Sequence, residues 1–535
     1  MEEGEINHDY DYIVIGSGFG GSVSALRLAE KGYRVLVIEK GKWYRTEDFA
    51  RTNWQFSKWL WLPALRWFGI MKVSIFRHIS IISGTGVGGG SLVYANTLPV
   101  PKEAFFQTGS WRGLADWQTE LRPYYELALR MLGAKRNPRF FDNDLALQQL
   151  ARELDREGQF DAPEVSVFFG EPGQTVADPY FEGRGPERAG CTYCGACMTG
   201  CRHNAKNTLD KNYLYLAQKH GAGILAEQEV IDVAPVGKAD GSEGYEVTIR
   251  SSTRLFRKER RLQAKGVVFA GGVLGTVKLL LKLKQSSLPR LSDRVGQDIR
   301  TNNESLIAVT SFDQTKDLSK GVAIGSILHT DPDSHLEVCR YGAGSGAWRF
   351  TFLPLADGRN LLFRFLNMGW EVVKDPVSYV RYFLVRDWAR SSTVMLFMQT
   401  LDSTVRFTRN RFGLMVTELS GGVKPAAFIP RAVDLAHRFE KILHGKAMVF
   451  GLIPILNSSG TAHILGGAVM GATPEEGVID KNNRVFGYEN LYVCDGSMIS
   501  ANPGVNPSLS ITAIAERAMG MIGKKGEKRV KGVKR

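Results

Sequence analysis

The stretch YDYIVIGSGFGGSVSALRLAEKGYRVLVIEKG, residues 10–41, decides the fold. Its first apolar run, Tyr12 to Ile15, predicts a short buried parallel strand. Apolar residues at helical spacing follow from Val23 to Ala29, and a second apolar run, Arg34 to Ile38, ends at the acidic Glu39. A strand, a helix and a second strand in this order predict a βαβ unit, so the chain is expected to have an α/β fold.

The turn between the first strand and the helix carries the pattern G-x-G-x-x-G at Gly16, Gly18 and Gly21. Gly16 permits the tight turn, Gly18 lets the backbone approach a pyrophosphate, and Gly21 lets helix and strand pack closely. The helix N-terminus then faces the anion. Glu39 follows at the distance where an acidic side chain accepts hydrogen bonds from ribose hydroxyls. The stretch predicts a dinucleotide site and leaves NAD and FAD both open, whereas an ordinary glycine-rich turn leaves Glu39 unexplained.

Composition indicates a globular protein of two domains. The chain has 535 residues, of which 44% are hydrophobic and 23% charged. Six cysteines are too few for a secreted disulfide scaffold, and the N-terminus opens acidic and polar, unlike a signal peptide. We therefore expect a cytoplasmic location. The net charge of +13 favours contact with anionic lipid over nucleic acid, because no nucleic-acid-binding motif accompanies it.

Further glycine-rich motifs lie far along the chain. They are SGTGVGGGSLVYANTLPVP (83–101), LQAKGVVFAGGVLGTVKLL (262–280), TAHILGG (461–467) and DGSMISANPGVNPSLSIT (495–512). Together with the opening stretch and CRHNAKNTLDKNYL (201–214), they resemble the glucose–methanol–choline (GMC) flavoprotein oxidoreductases over nearly the whole chain. Within that family the sequence is most similar to bacterial cholesterol oxidases that bind FAD non-covalently.

The resemblance implies a Rossmann-type FAD-binding domain interleaved with an α+β substrate domain that contains a mixed sheet. The FAD domain would comprise residues 1–110, 190–300 and 455–535, and the substrate domain residues 111–189 and 301–454. The basic tail, 524–535, is expected to be disordered. The implied cofactor contacts are Gly16, Gly18, Phe19, Gly20, Gly21, Glu39, Gly88, Gly89, Gly90, Tyr94, Asn96, Val230, Gly271, Asp495, Gly496, Asn506 and Ser508.

His463 and Asn506 occupy the motif positions where this family carries a catalytic histidine and a second histidine or an asparagine. Oxidation of an alcohol to a ketone moves a hydride to flavin N5 while the hydroxyl proton leaves, so a proton acceptor must lie beside the substrate oxygen. Histidine suits this task because its pKa lies near neutrality. The resemblance therefore implies oxidation of a sterol or a similarly bulky apolar alcohol.

Glu337, in SHLEVCRY, lies in a segment whose alternation indicates a strand of the substrate domain. A surface carboxylate on an edge strand is one interpretation. The other follows from the resemblance, because in cholesterol oxidases a glutamate of this domain moves a proton between two ring carbons and converts the Δ5-ketone into the Δ4-ketone. Glu304 is the alternative carboxylate for this isomerisation.

Four of the six cysteines, Cys191, Cys194, Cys197 and Cys201, form the pattern C-x2-C-x2-C-x3-C. The spacing is that of a ferredoxin-type iron–sulfur segment, although Arg202 stands where ferredoxins have proline. Zinc and a structural thiol turn are the alternatives. A cluster would pass single electrons to a protein or quinone acceptor, and the enzyme would then be an iron–sulfur-relayed dehydrogenase of another terpenoid or a long-chain alcohol instead of an oxygen-consuming oxidase.

Two aromatic, basic segments, 53–78 and 360–390, are too charged and broken to span a bilayer. Both suit an interfacial position at an anionic membrane, and the core of the substrate domain is the alternative. A last functional alternative is a membrane-surface flavin-binding protein with little turnover, against which the intact His463 and Asn506 argue.

Overall fold

The opening βαβ unit folds as its sequence predicts. In a computed structural model, which describes residues 8–421, 425–456 and 458–527, strand Tyr10–Ile15 leads into helix Phe19–Glu30 and strand Val35–Ile38. The two strands are parallel, with Tyr12 opposite Val35 and Ile15 opposite Ile38. Ile13 and Val14 are fully buried because helices cover this part of the sheet.

A mixed sheet of seven strands forms the nucleotide-binding unit. Parallel pairing joins the strands around Tyr10–Ile15, and antiparallel pairing adds the outer two on one side. In spatial order the strands are Gly223–Leu225, Val35–Ile38, Tyr10–Ile15, Glu259–Phe269, Tyr245–Ser251 and Gln228–Pro235, with Leu491–Val493 added in parallel to Glu259–Phe269.

A second sheet of seven strands forms the substrate unit, and every pairing in it is antiparallel. The sequence-based expectation was a mixed sheet. Of its neighbouring pairs, Ile324–Asp331 and Ser334–Cys339 are joined by a short hairpin, which requires antiparallel pairing, and the other pairs are joined by long connections that also return the chain antiparallel. In spatial order the strands are Phe352–Pro354, Gly445–Phe450, Ser305–Ser311, Ser392–Gln399, Ser334–Cys339, Ile324–Asp331 and Phe160–Asp161.

Smaller sheets lie outside the two large ones. One contains Ser459–Thr461, Ile79–Gly84 and Met71–Ile75, and another contains Ile299–Arg300, Thr404–Arg409 and Met415–Leu419. Over the described residues, three two-stranded pairs complete the strands: Thr175–Val176 with Arg188–Ala189, Trp61–Leu62 with Trp67–Phe68, and Lys135–Arg136 with Glu164–Val165.

Helices cover both sheets. The remaining α-helices are Phe56–Trp59, Glu103–Gln107, Trp117–Met131, Asp142–Glu153, Tyr213–Lys219, Gly272–Leu283, Leu361–Lys374, Pro376–Leu384, Trp388–Ser391, Pro430–Ile442, Leu452–Leu456 and Ser508–Gly520. Within the described residues, none of the helices is long and apolar enough to cross a membrane.

One helix shifts a predicted domain boundary. Helix Trp117–Met131 lies in a segment assigned by sequence to the substrate domain, yet it packs on Ser508–Gly520 of the nucleotide unit. The hydroxyls of Tyr125 and Ser510 lie 2.8 Å apart. The reason is the apolar stripe of this helix, whose buried residues all belong to the nucleotide unit's core.

The predicted basic tail falls mostly outside the described residues, because residues 528–535 are not among them. Its first residues, 524–527, are placed. Lys525 Nζ lies 2.6 Å from Asp11 Oδ2, and the Lys525 N–H donates to the Lys31 carbonyl. The prediction of disorder is therefore wrong for the start of this segment, because an ion pair and a hydrogen bond fix it to the nucleotide unit.

Candidate active site

A single cavity of about 830 Å³ extends between the two units. Residues that directly follow strands of the nucleotide sheet, including Gly16 and Glu39, form part of its wall, and residues of the antiparallel sheet, including Leu396, form another part. His463 and Asn506 also line it. The cavity thus joins the predicted dinucleotide site to the predicted catalytic pair.

The glycine turn fits a pyrophosphate. Gly16 has φ +105°, and a Cβ there would lie 2.3 Å from the Ala270 carbonyl oxygen, so the tight turn requires glycine. Gly18 stands at the N-terminus of helix Phe19–Glu30, and a Cβ on it would meet no heavy atom within 4 Å. Gly18 therefore borders open space, where the unpaired N–H groups of the helix's first turn favour an anion.

Glu39 has the orientation expected for a ribose ligand. Its Oε2 accepts hydrogen bonds from the Ser17 N–H at 3.1 Å and the Ser17 hydroxyl at 2.6 Å, and its Oε1 accepts from the Gly41 N–H at 2.8 Å. These three bonds fix the carboxylate in the cavity wall, where Oε1, which accepts one of them, retains a further lone pair for a ligand.

Basic side chains that the sequence analysis missed also line the cavity: Lys40, Lys72, Arg250, Lys278, Lys282 and Arg409. Burial, with the neighbouring Lys40 and Lys278, lowers the pKa of Lys72 to about 8. Burial opposes the ionisation of Glu229, yet ion pairs with Lys40 and Arg250 lower its pKa to about 2. Net positive charge at this wall complements phosphate groups.

Most of the predicted cofactor contacts line the cavity, namely Gly16, Gly18, Phe19, Gly20, Glu39, Gly89, Gly90, Tyr94, Val230, Gly271, Asp495, Gly496, Asn506 and Ser508. Three do not. Gly21 packs the helix onto the strand, where a Cβ would lie 2.1 Å from the Gly16 carbonyl oxygen. Gly88 has φ +103° and donates its N–H to the Ser17 hydroxyl. Asn96 is fully buried, while its neighbours Ala95 and Thr97 line the cavity.

His463 belongs to a buried polar chain. Its Nδ1 lies 2.7 Å from Glu304 Oε1, and its Nε2 lies 3.4 Å from Asn506 Nδ2. Glu304 also accepts hydrogen bonds from the Thr461 hydroxyl and the Ala462 N–H, both at 3.0 Å. Burial opposes the charged imidazole, but Glu304 outweighs burial and raises the pKa of His463.

The Glu304 contact determines what His463 can do. With Nδ1–H donating to the carboxylate, the neutral ring presents Nε2 as an acceptor towards Asn506 and the cavity. Glu304 also stabilises the imidazolium that forms when Nε2 takes a proton. Sequence analysis named Glu304 only as an alternative base for isomerisation, and the structure places it instead beneath the histidine.

Glu337 is fully buried, so its interpretation as a surface carboxylate on an edge strand is wrong. Strand Ser334–Cys339 has a neighbour on each side, Ile324–Asp331 and Ser392–Gln399. The Asn506 amide donates to Glu337 Oε2 at 3.2 Å. Among the described residues that line the cavity, Asn506 is present and Glu337 is not. The carboxylate therefore lies directly behind the cavity wall.

The rest of the cavity wall near the catalytic pair is apolar. The antiparallel sheet and adjoining segments contribute Leu306, Ile324, Tyr341, Trp348, Phe352, Val394, Leu396 and Phe450. This wall can take a bulky apolar ligand, because it offers dispersion contacts and few groups that need water.

The four cysteines of the C-x2-C-x2-C-x3-C run line a separate small cavity together with Lys206. In the described part of the chain, no group of three or more His, Cys, Asp or Glu side chains has the arrangement needed to hold a metal ion. Burial raises the pKa of Cys197 to about 11 and that of Cys191 further, which favours neutral thiols. The arrangement does not fit an iron–sulfur cluster or zinc.

A structural turn accounts for the cysteine run. Lys206 Nζ donates to the carbonyls of Leu92, Tyr94 and Cys197 at 2.9–3.0 Å. The Gly195 N–H donates to the Gly321 carbonyl at 2.9 Å. The run thus ties the glycine loop of the nucleotide unit to the substrate unit.

The fold and site together define a class of protein. A glycine cradle on a βαβ unit shares its cavity with a histidine–asparagine pair beside an apolar wall. This combination is that of a flavin-dependent oxidoreductase, in which the protein orients an alcohol against the cofactor.

Comparison with known proteins specifies the family. Residues 185–301 and 454–515 match family models of GMC oxidoreductases, and residues 11–53 match an FAD binding domain. The chain is 46% identical to a cholesterol oxidase of Acinetobacter baumannii, over 96% of this chain and 95% of that protein. It is 44% identical to a cholesterol oxidase of Mycobacterium tuberculosis, over 97% and 92%.

The fold is also that of a solved structure. The pyridoxine 4-oxidase from Mesorbium loti has a TM-score of 0.60 and 13% identity, covering 96% of this chain and 99% of that one. The chain belongs to the GMC oxidoreductase family. It is an FAD-dependent oxidoreductase acting on CH–OH groups.

Proposed function

We propose that the protein oxidises the hydroxyl of a sterol, or of a similarly bulky apolar alcohol, to a ketone with oxygen as the electron acceptor. The observation that carries the proposal is the position of His463 and Asn506 in the wall of a cavity whose neighbouring wall is apolar. The cholesterol oxidases at 44–46% identity support the sterol class. Anaerobic addition of cholesterol should bleach the bound flavin, and no bleaching with any sterol would contradict the assignment.

The protein's part in the reaction is to orient the alcohol and take its proton. When bound, FAD supplies the hydride acceptor. His463 Nε2, held as an acceptor by the Glu304 contact at 2.7 Å, takes the hydroxyl proton. The Asn506 amide donates a hydrogen bond to the developing alkoxide without adding a charge. The apolar wall excludes water, which strengthens both interactions.

Two alternatives have less support. A dehydrogenase that relays electrons through an iron–sulfur cluster needs a cluster at the cysteine run, where the side-chain arrangement fits none. A flavin-binding protein with little turnover does not account for a buried Glu304–His463 pair, because burying two titratable groups without a chemical role is costly.

We further propose that Glu337 isomerises the first ketone product. Its carboxylate lies 3.2 Å from the Asn506 amide, directly behind the cavity wall, and the proposed step requires a side-chain rotation that brings it to the substrate. Isomerisation needs a group that removes a proton from one ring carbon and returns it to another.

Glu337→Gln is expected to separate the two steps. Glutamine keeps the shape and the contact with Asn506 but cannot carry the proton. The variant should still reduce its flavin with cholesterol while the unconjugated ketone accumulates, and the ultraviolet absorbance of the conjugated product reports this directly. Glu475→Gln, at an exposed site, is the matched control. Unchanged formation of the conjugated ketone would move the role to Glu304.

An apolar patch on helices Leu361–Lys374 and Pro376–Leu384 supports contact with a membrane. Leu362, Val373, Val377 and Leu384 are each about two-thirds exposed or more. Only Arg364 and Met368 of the first helix, and Tyr379 and Tyr382 of the second, are buried. The core alternative for residues 360–390 therefore has little support, and we propose that this patch docks on anionic lipid.

The double variant Leu362→Asp, Val377→Asp tests this proposal. Two buried charges at the lipid interface should weaken binding to phosphatidylserine vesicles by at least about tenfold. Activity towards a detergent-solubilised sterol should be unchanged, because neither Leu362 nor Val377 is among the residues that line the cavity. Vesicle sedimentation measures the binding, and equal sedimentation of the variant and the unmodified protein would contradict the proposal.

A further inference from the structure

Three titratable side chains lie on one face of the antiparallel sheet, and only one of them has a role in the proposed reaction. Glu337 and His335 are two residues apart on strand Ser334–Cys339, and His329 lies on the neighbouring strand Ile324–Asp331. Residues of opposite parity, such as Leu328 and Leu336, pack in the core on the other face. Glu337, His335 and His329 therefore share the face that holds the cavity-lining Cys339 and Leu396.

The three groups follow one another in space. Glu337 Oε1 lies 3.4 Å from His335 Nε2, and the ring centroids of His335 and His329 are 5.8 Å apart. The second separation is short enough for ring nitrogens to meet directly or through one water molecule.

Each group also keeps a buried polar atom without a hydrogen-bond partner within the protein: Glu337 Oε1, His335 Nε2 and His329 Nδ1. The 3.4 Å contact is not aligned as a hydrogen bond. Buried polar atoms nearly always have a hydrogen-bond partner, so three neighbouring atoms without one within the protein need an explanation. A proton that moves between these atoms would pair each of them only part of the time. A static structure would show such atoms without a partner.

Exposure rises along the series. Glu337 is fully buried and His335 is 2% exposed, whereas His329 is partly exposed. Burial, together with the charges of His335 and Lys102, lowers the pKa of His329 to about 4, against the opposing effect of Glu337 and Asp161. A neutral imidazole can accept a proton at one nitrogen and release one from the other. The series thus leads from the active site towards solvent.

We propose that His335 and His329 carry protons between Glu337 and solvent. The inference rests on the proposed isomerase role of Glu337. In that step the carbon between the ketone and the double bond loses a proton to the carboxylate, the double bond moves into conjugation, and the far alkene carbon gains a proton. No electrons are transferred. While the proton is on Glu337, His335 Nε2 takes it, the other ring nitrogen of His335 releases a proton to His329, and His329 exchanges it with water.

Isomerisation in D₂O tests the relay through the composition of the product. The unconjugated ketone is supplied directly, so no alcohol oxidation is needed. With the unmodified protein, deuterium should appear at the carbon that gains the proton. In His329→Leu and His335→Phe that deuterium should fall by about tenfold, less than the 10²–10⁴-fold rate effect of a group that touches substrate. His437→Leu, at an exposed histidine paired with Glu440, is the control. Equal deuterium in all variants overturns the relay.

A second measurement needs no substrate and separates failure of the relay from failure of the proposed function. In protein labelled with ¹⁵N-histidine, Glu337→Gln should shift the His335 ring signals and leave those of His437 unchanged. Unchanged His335 signals overturn the relay contact even if isomerisation occurs. A protein that forms no conjugated ketone refutes the isomerase role of Glu337, and with it the relay, while flavin bleaching by sterol still tests the oxidation by itself.

Discussion

Replacing His463 by glutamine is expected to slow reduction of the bound flavin by substrate roughly 10²–10⁴-fold, the usual scale for a positioned acid–base group. Glutamine cannot take the hydroxyl proton, and Glu304, which lies 2.7 Å from the imidazole in the unmodified protein, would face an uncharged amide that cannot become a cation. FAD should stay bound, because the glycine cradle and Glu39 are formed by other segments.

Stopped-flow absorbance under anaerobic conditions measures the effect. His220→Gln, at an exposed helix end, is the control. Near-normal reduction in His463→Gln would remove the histidine from the mechanism.

The same experiment has a pH signature. Glu304 raises the pKa of His463 above 6.5. The rate of flavin reduction in the unmodified protein should therefore rise with pH, as His463 loses its proton, and level off above the pKa of His463.

Gly18→Glu is expected to yield a folded protein without flavin. A Cβ at Gly18 meets no heavy atom within 4 Å, and its φ of −70° is open to any residue, so the fold should tolerate the change. The new carboxylate would occupy the cradle. Two like charges about 4 Å apart repel by about 4 kcal/mol at the effective dielectric near a protein surface, so FAD affinity should fall by about 10³-fold.

The flavin absorbance of the purified protein and a titration with FAD measure the loss. Circular dichroism checks the fold. Gly158→Glu is the matched control, because that glycine is exposed and a Cβ there also meets nothing within 4 Å. A yellow Gly18→Glu protein with full flavin content would mean that the cradle lies elsewhere.

Local pattern explains which parts of the molecule the sequence predicts. The strand, turn and helix of residues 10–38 depend on neighbouring residues, and the structure confirms them. His463 and Asn506 lie in motifs that the family resemblance identifies. The Glu304–His463 contact joins residues 159 positions apart, and the local periodicity of a sequence cannot predict a contact between such distant residues.

The apolar wall and the basic lining were missed for the same reason. Lys72 and Lys278 come from different elements, and each looks like an ordinary surface lysine in its own segment. For the cysteine run, the local pattern indicated a metal site that the side-chain arrangement does not provide. Its spacing is that of a ligand loop, but spacing does not specify where thiols point, and Lys206 and the backbone contacts of Gly195 organise the loop without a metal.

The interleaved connectivity of the nucleotide unit constrains when the protein becomes functional during synthesis. Strand Leu491–Val493 completes the sheet that begins with Tyr10–Ile15, and helix Ser508–Gly520 covers helix Phe19–Glu30. Contacts of such long sequence separation form late, because the chain must first close the loop between them. The nascent chain therefore exposes an unfinished apolar sheet until residues 491–520 have left the ribosome. We expect chaperones to bind the nascent chain during that interval. We also expect FAD to bind only after the complete chain has left the ribosome.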